Sequence, residues 1–258
     1  MTTTAGERNP PVLSTAVEAW RYAFAGFSCM PILFGTAMLA VFVLNALTLP
    51  FAPGPKEDPT AGIQLLGLAV TVVQGFLLAP VAIAVHRFVL LGELTAAYRP
   101  DPSDRRFMTF FVFSAVFQLM MDVPATLMAV ATKSGGAGGG VLAFVFFVAM
   151  IVAVIVALRV LILFPAIAVD APGARWRNAY FDTKGHTWRV FGISVLTALP
   201  ALLVALPLYF VIGWPEGIGL VGGALLAIVQ SAVSVLMIAA LAAAASRLFA
   251  AYSDRLNE

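Results

Sequence analysis

The sequence predicts an all-α integral membrane bundle of about six transmembrane helices, with amphipathic interfacial helices on the cytoplasmic side. Three observations carry this. The composition is 61% hydrophobic and 11% charged, with a mean hydropathy of +0.98, against about 25% charged residues in a soluble domain. The apolar residues gather into long runs. Lysines and arginines mark alternate connections between those runs.

The runs lie at 29–51, 62–86, 107–132, 141–164, 190–214 and 217–246. Each reaches the ~20 residues that cross a ~30 Å hydrocarbon core. They are too long, and alternate too little, for barrel strands. The last is Ala-rich towards its end, from Ala242 to Ala245, and is expected to extend past the hydrocarbon. The whole chain reads as one membrane domain.

Orientation follows from the basic residues, which stay on the cytoplasmic side. Thirteen of the fifteen lie in the first segment, the second and fourth connections and the last segment; Lys56 and Lys133 are the exceptions. A missed or invented span would scramble that alternation. The expected location is therefore the inner (cytoplasmic) membrane, multi-pass, with both termini cytoplasmic. Trp20, Trp176, Trp188, Trp214 and Tyr98 fall at run ends or in connections, where an apolar ring and a polar tip both find partners.

Two segments read as surface helices. In 15–27, Val17, Trp20, Phe24 and Phe27 recur at helical spacing, and Thr15 with Glu18 suggests a capping box. In 174–184, Trp176, Ala179, Tyr180 and Thr183 share a face. Such helices bury an apolar face at the headgroups while their arginines attract anionic lipid. Trp20-Arg21-Tyr22-Ala23-Phe24 echoes Trp176-Arg177-Asn178-Ala179-Tyr180, each ahead of a span. An old duplication and the positive-inside bias both explain the echo. Residues 52–60, rich in proline, and 133–140, rich in glycine, read as external loops; the second lacks the strand, helix and lysine placement of a phosphate-binding loop.

Several functions are disfavoured. A net charge of +2 argues against nucleic acid as a partner. Cys29 is the only cysteine, and His86 and His186 are the only histidines, so no metal site or cofactor is expected. The first 28 residues lack the apolar core of a signal or lipoprotein leader. No nucleophile, base and acid gather at a shared depth, and an enzyme is not expected.

Asp122 is the acidic residue placed well inside a span, ~24 Å from Arg106 along a helix. An ionisable group there is costly unless paired, wetted or neutral. Arg159 sits at a different level, ~27 Å from Val141; Thr71, Gln74 and Asn45 match the depth of Asp122 better. The residue is either a proton- or solute-binding carboxyl or a packing group beside Pro124. The lack of a second buried carboxylate favours packing. Arg87, Arg159, Arg175, Arg177 and Arg247 are candidate lipid-headgroup contacts, and His86 is expected at the interface beside Arg87. Pro80, Pro124, Pro165, Pro200 and Pro207 lie in or near spans, where proline kinks a helix.

Residues 159–191 contain Arg-Val-Leu-Ile-Leu-Phe-Pro-Ala-Ile-Ala-Val-Asp-Ala-Pro, then Trp-Arg-Asn-Ala-Tyr and Thr-Trp-Arg-Val-Phe. This stretch resembles a group of uncharacterised bacterial six-helix inner-membrane proteins, similar to the membrane domain fused to some glycerophosphodiester phosphodiesterases. The resemblance implies a helical bundle in a bacterial cytoplasmic membrane and carries over no catalytic residues. The expected role is a non-enzymatic membrane component that organises an anionic lipid or a membrane-protein partner at the cytoplasmic face. The alternative is a small proton- or solute-coupled transporter using Asp122.

Overall fold

Apolar runs of this length satisfy their backbone hydrogen bonds internally only as helices or closed barrels, and here they are helices. The computed structural model describes residues 9–51, 60–133, 135–212 and 219–257. Its helices are α1 (Val12–Cys29), α2 (Pro31–Thr48), α3 (Ala61–Leu91), α4 (Arg105–Lys133), α5 (Gly136–Val160), α6 (Leu163–Ala168), α7 (Trp176–Asp182), α8 (Thr187–Ile212) and α9 (Gly219–Tyr252), with a 3₁₀ turn at Leu49–Phe51. Six of them, α2, α3, α4, α5, α8 and α9, are long and apolar enough to cross a membrane. The chain is a multi-pass membrane protein. Most of the 52–60 loop, Lys56 and Trp214 lie outside the described residues.

Local chemistry moves several expected boundaries. Residue 86 does not end the second span; α3 runs on to Leu91 and stops at Gly92, whose φ of 70° suits a residue without a Cβ. The fourth span ends at Val160 rather than 164. Pro165 has no N–H to offer the Leu161 carbonyl, which instead accepts from Phe164 N–H at 3.4 Å in a tighter turn. Pro165 then falls in the first turn of α6, where its missing donor costs little. The glycine segment 133–140 is mostly helix: α4 reaches Lys133 and α5 starts at Gly136, with Gly135 and Gly136 at φ of 68° and 67° making the turn. Cys29 closes α1 rather than opening the first span. The Thr15–Glu18 capping box does not form. The helix begins at Val12, and the Thr15 hydroxyl donates back to the Pro11 carbonyl at 2.8 Å.

Packing is densest at one end. The α9 run Ala239, Ala240 and Ala242–Ala245 is buried and packs among α1, α2, α3 and α6. It forms the centre of the arginine-rich end, within a helix of 34 residues. Small residues let backbones approach closely. For the same reason α1 docks with its small face: Ala16, Ala19, Ala23 and Gly26 are buried, whereas Val17 and Phe24 on the aromatic face stay 45% and 53% exposed. The α4–α5 hairpin is packed more lightly. Its buried described residues are Phe107, Phe110, Ala131, Gly139, Ala153 and Ala157.

Candidate functional site

Polar side chains converge where the arginine-rich helix ends meet, and the turn chemistry explains why. Past Gly92 the chain bends back, so that Glu93 N–H donates to the Arg87 carbonyl at 3.4 Å. This brings the Glu93 carboxylate onto Arg87, whose Nε donates to Oε2 at 2.7 Å. Arg87 Nη1 also donates to the Ala168 carbonyl at the end of α6 at 3.0 Å. Two residues on, Asp170 holds a left-handed φ of 54°, which short polar residues tolerate. That conformation offers both carboxylate oxygens to Arg106 on α4, with Nε–Oδ1 at 3.0 Å and Nη2–Oδ2 at 2.5 Å. Two guanidiniums and two carboxylates thus clasp α3, α4 and α6. Asp104 caps α4 by accepting from Arg106 N–H at 2.9 Å.

A second assembly joins α7 to the turn after α9. Asp182 Oδ2 accepts from the backbone N–H groups of Arg255 at 3.0 Å and Leu256 at 3.1 Å. Gly173 N–H donates to the Leu256 carbonyl at 3.2 Å, and the Asn178 amide donates to the Gly173 carbonyl at 2.9 Å and more weakly to that of Arg255 at 3.4 Å. Burial pushes the Asp182 carboxyl above its ordinary pKa, against the opposing pull of those two N–H donors. The α3–α4 connection is anchored too. Tyr98 Oη donates to the Leu77 carbonyl at 2.8 Å, and burial pushes its pKa up to about 12.

The candidate headgroup arginines divide into two sets. Arg87 is committed to Glu93 and Ala168. Arg247 pairs with Glu18 at 3.2 Å, linking α9 to α1. Arg159 lies 4.6 Å over the Tyr180 ring and donates to the Thr187 hydroxyl at 3.2 Å. Arg175 and Arg177 are exposed and have no carboxylate partner among the described residues. Arg255 joins them: it is exposed and lies 5.0 Å over Phe181, which Arg177 approaches from 5.9 Å. Trp176 and Trp188, at 59% and 84% exposed, flank this set. Sequence reasoning counted Arg255 and Arg106 only towards topology. Their roles depend on contacts between distant segments that no local pattern announces.

His86 is enclosed by protein rather than exposed beside Arg87. It is 2% exposed, inside the bundle, with Nδ1 2.8 Å from Ser246 Oγ on α9. The Ser246 hydroxyl donates to the Ala242 carbonyl, so the Nδ1–H of His86 is the donor to Ser246. Trp20 likewise turns inward: its Nε1–H donates to the Thr197 carbonyl on α8 at 2.9 Å.

The membrane-depth residues are only partly brought together. Packing of α3 on α4 places the Gln118 amide against Gly75, where a Cβ would meet it at 2.8 Å. Gln118 was missed by sequence reasoning; Gln74 precedes the glycine it packs on. The Thr71 hydroxyl donates to its own helix, at the Gly67 carbonyl. Asn45 sits on α2, which packs mainly on α9 and α3. Buried Asn45 Nδ2 and Gln118 Oε1 lack hydrogen-bond partners. Asp122, half-buried, makes no hydrogen bond or ion pair with another described residue.

Among the described residues no three His, Cys, Asp or Glu side chains group as metal ligands. No protein family, curated protein or solved structure matches the chain, so its function has to be argued from its own geometry.

Proposed function

We propose that the chain is a non-enzymatic component of the inner membrane whose arginine-rich end, facing the cytoplasm, organises an anionic lipid or a membrane-protein partner. The observation that carries this reading is the exposed set Arg175, Arg177 and Arg255. Three exposed guanidiniums stand outside any close ion pair among the described residues: Arg175 and Arg177 at the start of α7, which buried Ala179 holds in place, and Arg255 in the turn after α9, with exposed Trp176 on α7 and exposed Trp188 on α8. A cation left unneutralised beside interfacial aromatics has attraction to spare for an anionic surface.

Because Ala179 and Thr183 are buried, deleting α7 would damage the bundle, and point changes make the cleaner test. Arg175→Gln with Arg177→Gln should lower co-purification of phosphatidylglycerol or of a crosslinked partner while the helical content stays intact. Unchanged retention overturns the reading. Thiol labelling of exposed Cys29 by an impermeant reagent tests the orientation separately. It should react from the cytoplasmic side.

The unpartnered Gln118 Oε1, one helical turn from Asp122, and the unpartnered Asn45 Nδ2 favour a second reading, a proton- or solute-coupled transporter. Asp122→Cys in a Cys29→Ser background decides between them. Rapid labelling of folded protein supports a water path to that depth, and absence of labelling from both sides leaves Asp122 as a packing residue.

A further inference from the structure

A cavity of about 570 Å³ opens beside α7, lined by Pro172, Gly173, Arg175, Asn178 and Arg255. Its walls come from segments far apart in sequence, and their closure depends on Gly173. A Cβ there would collide with the Arg255 carbonyl and lie 3.0 Å from Leu256 Cα. Glycine therefore lets the turn after α9 seat against the α6–α7 connection. Arg255 is then fixed through its backbone: N–H to Asp182, carbonyl to the Asn178 amide. Arg175 is fixed as well, its N–H donating to the Gly173 carbonyl at 2.6 Å. Asp182 and Asp254 are the nearby carboxylates. Neither lines the cavity, and Asp182 spends one oxygen on two backbone donors.

Arg175 and Arg255 both line the cavity and no carboxylate among the described residues does; a pair of guanidiniums suits a tetrahedral oxyanion that accepts several charge-assisted hydrogen bonds. We propose that this cavity binds the phosphate group of a phosphate ester, held by Arg175 and Arg255. The source of that group is either an anionic phospholipid headgroup or a soluble phosphate. The proposal rests on the reading of the arginine-rich end as an anion-engaging face and assigns that face a defined site.

The test uses full-length protein in nanodiscs of phosphatidylcholine alone, titrated with inorganic phosphate and glycerol 3-phosphate. A parallel set is made with phosphatidylglycerol added. Thermal stabilisation is the readout. Stabilisation in the neutral discs that weakens at least about tenfold in Arg175→Gln/Arg255→Gln, the loss expected when charge-assisted contacts go, supports a soluble source. Stabilisation only with phosphatidylglycerol, lost in the same variant, supports a lipid source. Arg99→Gln, an exposed arginine elsewhere, should behave as the parent. Gly173→Ala should abolish the effect with both arginines present. No stabilisation by any probe, or stabilisation equal in parent and double variant, overturns the site. The titration does not depend on orientation or on a protein partner. A silent cavity with intact Arg175/Arg177-dependent retention would therefore remove this proposal and leave the broader reading standing. Binding together with Cys29 labelling from the opposite side would do the reverse.

Discussion

The two halves of α9 meet different surroundings. From Val235 to Tyr252 the helix carries Ala239, Ala240, Ala242–Ser246, Leu248 and Phe249 in buried positions, and α9 packs against α1, α2, α3, α6 and α8. Towards its other end Val221, Leu225 and Ile228 are 52–74% exposed. The rest of the molecule follows the same gradient. Buried residues of α3 run from Gly75 to His86, and the fully buried residues Leu33, Phe34, Ala37 and Val41 of α2 lie towards its arginine-rich end. On α5 Val141, Phe144 and Val145 are more than half exposed. In lipid an apolar side chain gains little by leaving hydrocarbon for a protein interior, so packing is concentrated where small residues fit closely and where polar ends must be paired. The arginine-rich end has both. It carries the alanine run and the Arg87–Glu93 and Arg106–Asp170 pairs.

This contrast can be broken most sharply in the packed end. Phe34→Ala removes a fully buried ring and should cost about 3–5 kcal/mol, read as a large fall in the unfolding midpoint in a fixed detergent. Ala243→Leu tests the close approach of α9 to its neighbours. Overpacking there should cost about 1–3 kcal/mol, and a midpoint equal to the parent's would mean the helices have room to separate.

Asp182→Ala should cost about 1–2 kcal/mol by leaving backbone donors at Arg255 and Leu256 without their acceptor. Amide exchange of the last turn would report the release. Asp182→Asn keeps an acceptor and isolates the charge. Because burial raises the carboxyl's pKa in the folded protein, the native state holds that proton more tightly than the unfolded chain does. Its contribution is full below the ordinary carboxylate pKa and is lost as pH rises through the raised folded value. The asparagine variant should flatten that part of the stability profile. The smallest effect belongs to the open end. Phe144→Ala, at a site 65% exposed, should change the midpoint by no more than about 0.5 kcal/mol in equivalent terms.

Much of this architecture was readable along the chain. Six apolar runs, their alternating basic flanks and the short Trp176 helix are one-dimensional features, because a spanning helix closes its hydrogen bonds within its own segment. The same locality limits what else can be read. Asp122 and the depth-matched Asn45, Gln74 and Thr71 could be ranked by distance along a helix, but which helices pack together decided that Gln118 meets Gly75 and that α2, which carries Asn45, packs mainly on α9 and α3. Periodicity found the aromatic face of α1 and the alanine run of α9. It did not say that the small-residue face would be the one buried, since close approach depends on the partner surface.

Sequence by itself determined the all-helical class, the number of apolar spans and the bias of charge to one end, because each is set by residue type and spacing within a single segment. Tertiary structure alone decided which of those charges are spent. Arg87 and Arg106 are neutralised by Glu93 and Asp170, while Arg175 and Arg255 line a common cavity that no carboxylate among the described residues lines. The cost of a charge is set by what stands within a few ångströms of it, and only folding brings residues 175 and 255 to one cavity.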